Sequence, residues 1–323
     1  MKRRSMVLLP LALAATRAAT AEEPWPARPV KLVMPYAAGG GVDMNMRRVV
    51  DRMRPYLGQN VFVENRPGAG GVLGADYVAQ SRTDGYTLLY ATSSLVAQKA
   101  ISPHVRFDPL TSFEHIVRTS VSPALLAVAA NSPFQGVKEL VAAARSQPGT
   151  FNYASGGIGT PSHLAGAALA TYQKLQMTHV PYRGSVDIGP ALLNGAAQLG
   201  FPVPVTAMPL IRQGKLRALA VTGPTRLKQL PDVPTLKEVF GSDALVIDTW
   251  GGFWAPAGTP KAILQRIHGA VLKALADKDV LALYESSGSE LMPTRSPEEF
   301  TRFVQAETVK YVKLVAAAGI TAN

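Results

Sequence analysis

The chain has 323 residues, 47% hydrophobic and 17% charged, with a formal net charge of +11. That composition excludes a disordered or collagenous chain and supplies enough apolar material for one large or two medium domains. The absence of cysteine excludes disulfides, thiolate metal sites and a cysteine-borne lipid anchor.

The first segment reads as a cleavable leader. Met1-Lys2-Arg3-Arg4 is basic, residues 6–15 are apolar, and Ala19-Thr20-Ala21 is a small-residue cleavage motif that puts the mature start at Glu22. The apolar run is too short to span a bilayer, and the residues after Arg3-Arg4 match a twin-arginine signal poorly. A signal peptide over 1–21, with no later spanning segment, predicts a freely diffusing periplasmic protein. Removing the leader cations Lys2, Arg3, Arg4 and Arg17 lowers the charge from +11 to +7. The remaining Lys and Arg are scattered singly, which argues against a nucleic-acid partner and for a solvated basic surface whose field favours small anions.

Strand-like and helix-like segments then alternate, the pattern of an α/β architecture. Residues 30–34 read as a strand, 42–57 as a helix closed by Gly58, 61–64 as a strand, 71–80 as a helix, and 86–90 as a strand entered through Thr83-Asp84-Gly85. A second α/β block starts near residues 125–128. Helices are expected at 137–146, 162–173 and 188–193, strands at 151–154, 177–180 and 216–222, and a proline-punctuated loop at 227–235. The chain ends in helices, one from Thr259 or Pro260 to about Ala276 and one behind Ser296-Pro297-Glu298-Glu299, which has the form of a capping box. Phe300, Phe303, Val304, Tyr311, Val312 and Val315 follow at helical spacing.

Three glycine-rich loops each follow a strand and precede a helix. PYAAGGGVD (residues 35–43) has neither G-x-G-x-x-G nor G-K-[ST], so it is neither a dinucleotide nor a P-loop site. NRPGAGGVLG (65–74) contains G-x-G-x-x-x-G, but the position of a ribose carboxylate falls at Tyr90-Ala91, and a tight turn packing a helix on a sheet explains it better. In YASGGIGTPSH (153–163), Ser155 lies outside a G-x-S-x-G elbow, and Thr160 or Ser162 is a ready helix cap with Pro161 in the first turn. The first and third loops make sense together. Each puts free N–H groups and a helix dipole where glycine permits close approach, so an anion with a carboxylate at each end would bridge two domains. His104, His115, His163, His179 and His268 show no metal spacing, and no acidic pair stands out for acid–base work. No metal, cofactor or catalytic residue is assigned, and this scarcity counts against an enzyme.

The segments WPARPVKLVMPYAAGGGVD, VENRPGAGGVLGADYVAQSRTDGYTLL, YASGGIGTPSHLAG, HVPYRGS, GKLRALAVT, LPDVPTLKE and WGGFWAPAGTP occur in order from Trp25 to Ile320. In their number and sequence the chain resembles the Bug family, the periplasmic solute receptors of tripartite tricarboxylate transporters. The resemblance implies a two-domain periplasmic binding protein of the type II-like α/β class, with a ligand cleft between the domains. Domain 1 would hold 22–123 plus 248–323 and domain 2 would hold 124–247, with crossings near 120–129 and 247–254. It implies capture of a small organic carboxylate by a monomer without a cofactor, for delivery to large and small integral-membrane subunits. A sensor without a transport role, and an enzyme using the same cleft, are the alternatives.

For the site, the resemblance points to the loop containing Tyr36, Ala37, Ala38, Gly40, Gly41 and Asp43, with helix capping as the alternative role of Asp43. It also points to Ser93, to Ser155, Gly156, Gly159, Thr160 and His163, and to Tyr182, Arg183 and Gly184. The Arg183 guanidinium would grip a second carboxylate bidentately, or is simply an exposed cation at a turn. The chain departs from the family pattern at Gln198-Leu199-Gly200-Phe201-Pro202-Val203-Pro204, where many members carry an acidic residue before an aromatic. A less polar cleft wall, suited to an aromatic or partly apolar carboxylate, is expected there.

Overall fold

The computed structural model describes residues 24–102 and 104–321, so the predicted signal peptide and the Glu22 start lie outside the described residues. β1 (Val30–Met34) feeds α1 (Gly41–Leu57), followed by β2 (Val61–Asn65), α2 (Val72–Ala79), β3 (Thr87–Thr92) and α3 (Ser94–Ile101). β4 (Phe113–Pro123) runs almost directly into β5 (Leu125–Ala129). Next come α4 (Val137–Ser146), β6 (Phe151–Ser155), α5 (Pro161–Gln173), β7 (Met177–Pro181) and α6 (Ile188–Leu193). β8 (Leu199–Gly200), α7 (Pro204–Arg212), β9 (Leu216–Val221) and α8 (Leu236–Phe240) close the middle of the chain. β10 (Asp248–Pro256), α9 (Lys261–Leu275), α10 (Lys278–Ser286), β11 (Glu290–Leu291) and α11 (Pro297–Ala317) complete it.

The strands form two sheets, a six-stranded one in the order β11-β4-β10-β3-β1-β2 and a five-stranded one in the order β7-β6-β8-β5-β9. β1 pairs in parallel with both β2 and β3, and β6 with β7. The loops leaving these strands therefore gather at the carboxyl ends of each sheet. β10 runs antiparallel between β3 and β4. The chain passes between the sheets twice, from Pro123 to Ala124 and again between β9 and β10. Thr222 ties the two passages together. Its hydroxyl accepts the Ala124 N–H (2.8 Å) and donates to the Ile247 carbonyl (2.6 Å), while its own backbone bonds to both residues.

Two apolar clusters hold the layers. Val30, Leu32 and Met34 of β1 pack against Met46, Val49 and Met53 of α1 and Ile267 and Val271 of α9. A second cluster runs from Trp254, Phe300 and Tyr311 through to Leu126, Tyr153 and Leu164, so it belongs to both sheets. On α11, Phe300, Val304, Tyr311 and Val315 are buried, but Val312, expected in the same stripe, is 50% exposed. The cap of this helix also differs from the expectation. Ser296 Oγ accepts the Glu299 N–H (3.2 Å), but the Glu299 carboxylate accepts from Arg295 N–H instead of closing on the cap residue. The reciprocal box lies at Thr235 and Glu238, at the end of the segment read as a loop: Glu238 N–H reaches Thr235 Oγ1 (2.9 Å) and Thr235 N–H reaches Glu238 Oε2 (2.7 Å).

Candidate functional site

Adjacent parallel strands β1 and β3 end at one edge of the first sheet, so the loop into α1 lies beside the turn into α3. Tyr36 fastens the two. Its phenol sits 2.8 Å from the Thr92 hydroxyl and accepts the Thr92 N–H at 2.9 Å. Burial pushes the Tyr36 phenol above its usual range, so it stays neutral. Ser93, beside it, is fully buried with its N–H bound to the Trp250 carbonyl (3.0 Å); in this arrangement it anchors α3 and presents no surface.

Asp43 builds the loop from behind. Gly39 adopts φ +81°, which turns its N–H onto Asp43 Oδ2 (3.0 Å). Arg47 Nε donates to the same oxygen (3.0 Å), and Asn65 Nδ2 donates to Oδ1 (2.8 Å). The ring closes through Arg47 Nη2 on Asn65 Oδ1 (2.7 Å). Desolvation works to raise the Asp43 pKa, but the bonds from Arg47, the Gly39 N–H and Asn65 together outweigh it, and the carboxyl is held below its ordinary range. Both oxygens are thus occupied inside the loop.

What the loop leaves open is backbone. The first bond of α1 runs from Met44 N–H to the Gly40 carbonyl (3.0 Å), and no side chain caps this end. The amides of Gly41, Val42 and Asp43 therefore have no helical partner, at the positive end of a 17-residue helix. Ala37, Ala38 and Gly39 are exposed, and Gly40 and Gly41 are half-buried, so residues 37–41 themselves bring no side chain larger than a methyl group to this helix end. The intervening loop at 65–74 makes the tight turn expected of it. Gly68, Gly70 and Gly71 have positive φ, and α2 sits so close to β1 that a Cβ on Gly74 would lie 2.9 Å from Pro35.

The loop into α5 is built differently. Ser155 Oγ accepts the Gly157 N–H (3.1 Å), Ser162 Oγ accepts the Gly156 N–H (2.9 Å), and His163 Nδ1 accepts the Gly159 N–H (3.1 Å). Thr160 is the cap, donating to the Gly157 carbonyl and accepting the His163 N–H. With the Thr160 N–H on the Gly157 carbonyl (3.2 Å), five amides between Gly156 and His163 are thus satisfied within the segment, where the glycine pattern alone suggests a second open donor set. The ring of His163 stacks 3.9 Å from His179 and more distantly on Tyr153. These rings line a separate cavity of about 460 Å3 between α5 and Gly319 and Ile320 behind α11. Burial, reinforced by His179, lowers the His163 pKa to about 3, and burial alone lowers that of His179 to about 4, so both imidazoles are neutral near pH 7.

The two loops belong to one wall. Tyr182 N–H bonds to the Ser155 carbonyl (2.9 Å), and a Cβ on Gly156 would lie 3.0 Å from Ser185 N, so the 155–157 and 182–185 segments are stacked backbone on backbone. Gly184 and half-buried Tyr182 shape this turn; Arg183 is exposed and has no hydrogen-bond or ion-pair partner among the described residues. Ser185 Oγ accepts the Val203 N–H (3.1 Å) and meets Thr206 Oγ1 (3.0 Å), which fixes the start of α7. From there Val205 reaches the first lobe, with Cγ1 2.4 Å from where a Gly41 Cβ would be. Ser185, Val205, Thr206 and His179 carry no motif; their places follow from the strand order of the second sheet. Val205, one residue past the Gln198–Pro204 run where a less polar wall is expected, puts a valine side chain beside Gly41.

Acid–base chemistry finds little support in this geometry. Ser155 and His179 Nε2 are 2.6 Å apart, but Ser155 is fully buried and no acceptor orients the other His179 nitrogen among the described residues. Among these residues no group of three or more His, Cys, Asp or Glu is arranged to hold a metal, and no helix is long and apolar enough to cross a membrane.

Two mixed α/β sheets, linked by a double crossing and meeting at an uncapped helix N-terminus, define the class of two-domain periplasmic binding proteins. Comparison with known proteins agrees. Residues 45–320 match the family model for the tripartite tricarboxylate transporter family receptor, TctC, and the chain belongs to this family. It is 35% identical over 323 residues to a UPF0065 protein from the tcbD-tcbE intergenic region of Pseudomonas sp. (strain P51), covering 99% of this chain and 96% of that one. Among solved structures, the periplasmic binding protein BugD superposes with a TM-score of 0.84 at 31% identity over 92% of this chain and 99% of BugD. An R. palustris protein solved with adipate gives 0.85 and 31% over 92% and 99%. MatC from Rhodopseudomonas palustris with bound malate gives 0.83 and 30% over 90% and 100%. The family and these neighbours are binding proteins.

Proposed function

We propose that this chain captures a small organic carboxylate between two lobes, 22–123 with 248–323 and 124–247, and delivers it in the periplasm to the large and small membrane subunits of a tripartite tricarboxylate-type transporter. The observation that carries this reading is the uncapped first turn of α1, where the Gly41, Val42 and Asp43 amides follow a loop of alanine and glycine. Such an end receives a carboxylate through backbone donors and the helix dipole. Arg183, exposed and unpaired among the described residues, is the candidate for a second carboxylate. Val205 beside Gly41 favours a ligand with an apolar middle, aliphatic or aromatic, over a densely hydroxylated one. Adipate and malate, held by two neighbours of about the same overall fold, set the size class. Binding closes the lobes and leaves the ligand chemically unchanged, and the receptor acts as a monomer after export by a cleavable leader.

Thermal unfolding against mono-, di- and tricarboxylates, aromatic acids included, with NAD and ATP as controls, tests this. A ligand at about a thousandfold over its dissociation constant adds roughly 4 kcal/mol and raises the midpoint clearly. A shift with one or a few carboxylates and none with nucleotides is expected. A shift confined to nucleotides, or consumption of the acid, would overturn the proposal.

A further inference from the structure

Gln98 stands on α3 in the first sheet's half of the molecule and is 8% exposed. Its Nε2 donates to the carbonyl of Ile158 at 2.8 Å, in the middle of the loop between β6 and α5 of the other half. The amide reaches that carbonyl through a gap that two glycines keep open, one from each side. A Cβ on Gly70 would lie 2.0 Å from Gln98 Nε2, and a Cβ on Gly159 would lie 2.6 Å from it. Ile101, three residues along α3, would meet the same Gly159 Cβ at 2.9 Å, so this face of α3 is fitted to the loop. The loop itself is preset. Gly157 and Gly159 on either side of Ile158 have their N–H groups held by Ser155 and His163, which leaves the Ile158 carbonyl pointing outward as an acceptor.

We propose that Gln98 is a positioning residue for ligand capture, its amide latching the second lobe's glycine loop onto the first lobe when the cleft is shut. The use of the latch rests on the carboxylate-capture reading; the bond itself does not. A hydrogen bond made only in the shut state shifts the open–shut equilibrium toward shut, and its loss appears chiefly as faster ligand release. Gln98 does this without lying on the uncapped turn of α1, so the latch and the anion grip are separable.

The chain has no cysteine, so Leu193→Cys on α6 and Leu281→Cys on α10, both exposed, give one spin-label pair across the lobes. Distance distributions from pulsed electron paramagnetic resonance are recorded alone and with excess adipate or malate. In the Gln98→Ala background the short-distance population falls several-fold relative to the unchanged background. Gln98→Glu keeps the side-chain volume and serves where the truncation loosens α3. It behaves like Gln98→Ala at about pH 8, where a carboxylate faces the Ile158 carbonyl, and regains the short distance at about pH 4 as its carboxyl becomes a donor. A packing role alone gives no such pH dependence. An unchanged distribution in Gln98→Ala, or a Gln98→Glu response to pH identical to that of the unchanged background, overturns the latch. If no carboxylate moves the thermal midpoint yet Gln98→Ala opens the resting chain, the carboxylate reading fails and the latch stands.

Discussion

Two imidazoles stacked 3.9 Å apart, His163 and His179, are kept neutral by burial, with pKa values of about 3 and about 4. Both lie below the ordinary value of 6.5, so the unfolded chain takes up protons that the folded chain refuses. Their contribution is therefore fully present above about pH 6.5 and declines as the pH falls toward 4 and then 3, by about 1.4 kcal/mol per pH unit per ring. His163→Asn retains an acceptor for the Gly159 N–H and removes one titration. Urea midpoints from pH 7 to pH 4 should fall more gently in this variant, by about one proton's worth of slope; equal slopes would clear His163 of any part in acid sensitivity. The stack was not legible in the sequence. His163 and His179 are 16 positions apart on different elements, and they meet because α5 packs back across β6 and β7. Asp43 lies at the other extreme. A carboxylate two residues past a glycine-rich turn can be read as a helix-start residue from local spacing, because its partners Gly39 and Arg47 are local, although Asn65 is not.

At the scale of elements, glycine has opposite meanings in different helices. An exposed helical glycine replaced by alanine gains stability, by about 1 kcal/mol from propensity alone. Gly166 in α5 should reverse that sign. A Cβ there would lie 2.3 Å from Tyr153 Cδ2, so the helix touches β6 at this residue. Gly166→Ala is expected to cost about 1–3 kcal/mol as the tyrosine ring is displaced, read as a lowered urea midpoint; a gain would mean the ring has room to move. The elements legible from the pattern were those with one buried and one wet face, such as α1 and α4, or a short apolar run, such as β1 and β9. α3 escapes that reading because most of SLVAQKAI is buried and it shows no polar stripe. α7 escapes it because Pro204 and Pro209 punctuate it, and α8 because it is five residues long. These missed elements matter most to the site, since α3 carries Gln98 and α7 carries Val205.

For the molecule as a whole, the two crossings decide how the halves can move, and Thr222 joins them. Its hydroxyl serves a buried amide of one passage and a buried carbonyl of the other. Thr222→Val has the same shape without the hydroxyl and leaves the Ala124 N–H and the Ile247 carbonyl short of a partner, costing about 1–3 kcal/mol for each group. Thr222→Ser should recover most of that loss in chemical denaturation. A Thr222→Val midpoint equal to that of the unchanged chain would show that the crossing is not held there.

By itself the amino-acid sequence determined the α/β class, the family, the glycine-rich turn over the start of α1, and the shorter apolar strands and amphipathic helices, but not β4 and β10, the two longest strands. The features it determined depend on periodicity, on turn chemistry and on residues within a few positions of one another, and such short-range physics is written locally. Tertiary structure alone decided which glycine loop keeps its amides open. The PYAAGGGVD and YASGGIGTPSH loops look alike as strings, but Ser155, Ser162 and His163 fold back onto the amides of the second, whereas Asp43 takes only the Gly39 amide of the first. It also decided that Val205 meets Gly41 and that Gln98 reaches Ile158. Those contacts join residues 60 or more positions apart across two sheets, and the hydrophobic pattern of either sheet is satisfied without specifying how its loops meet those of the other.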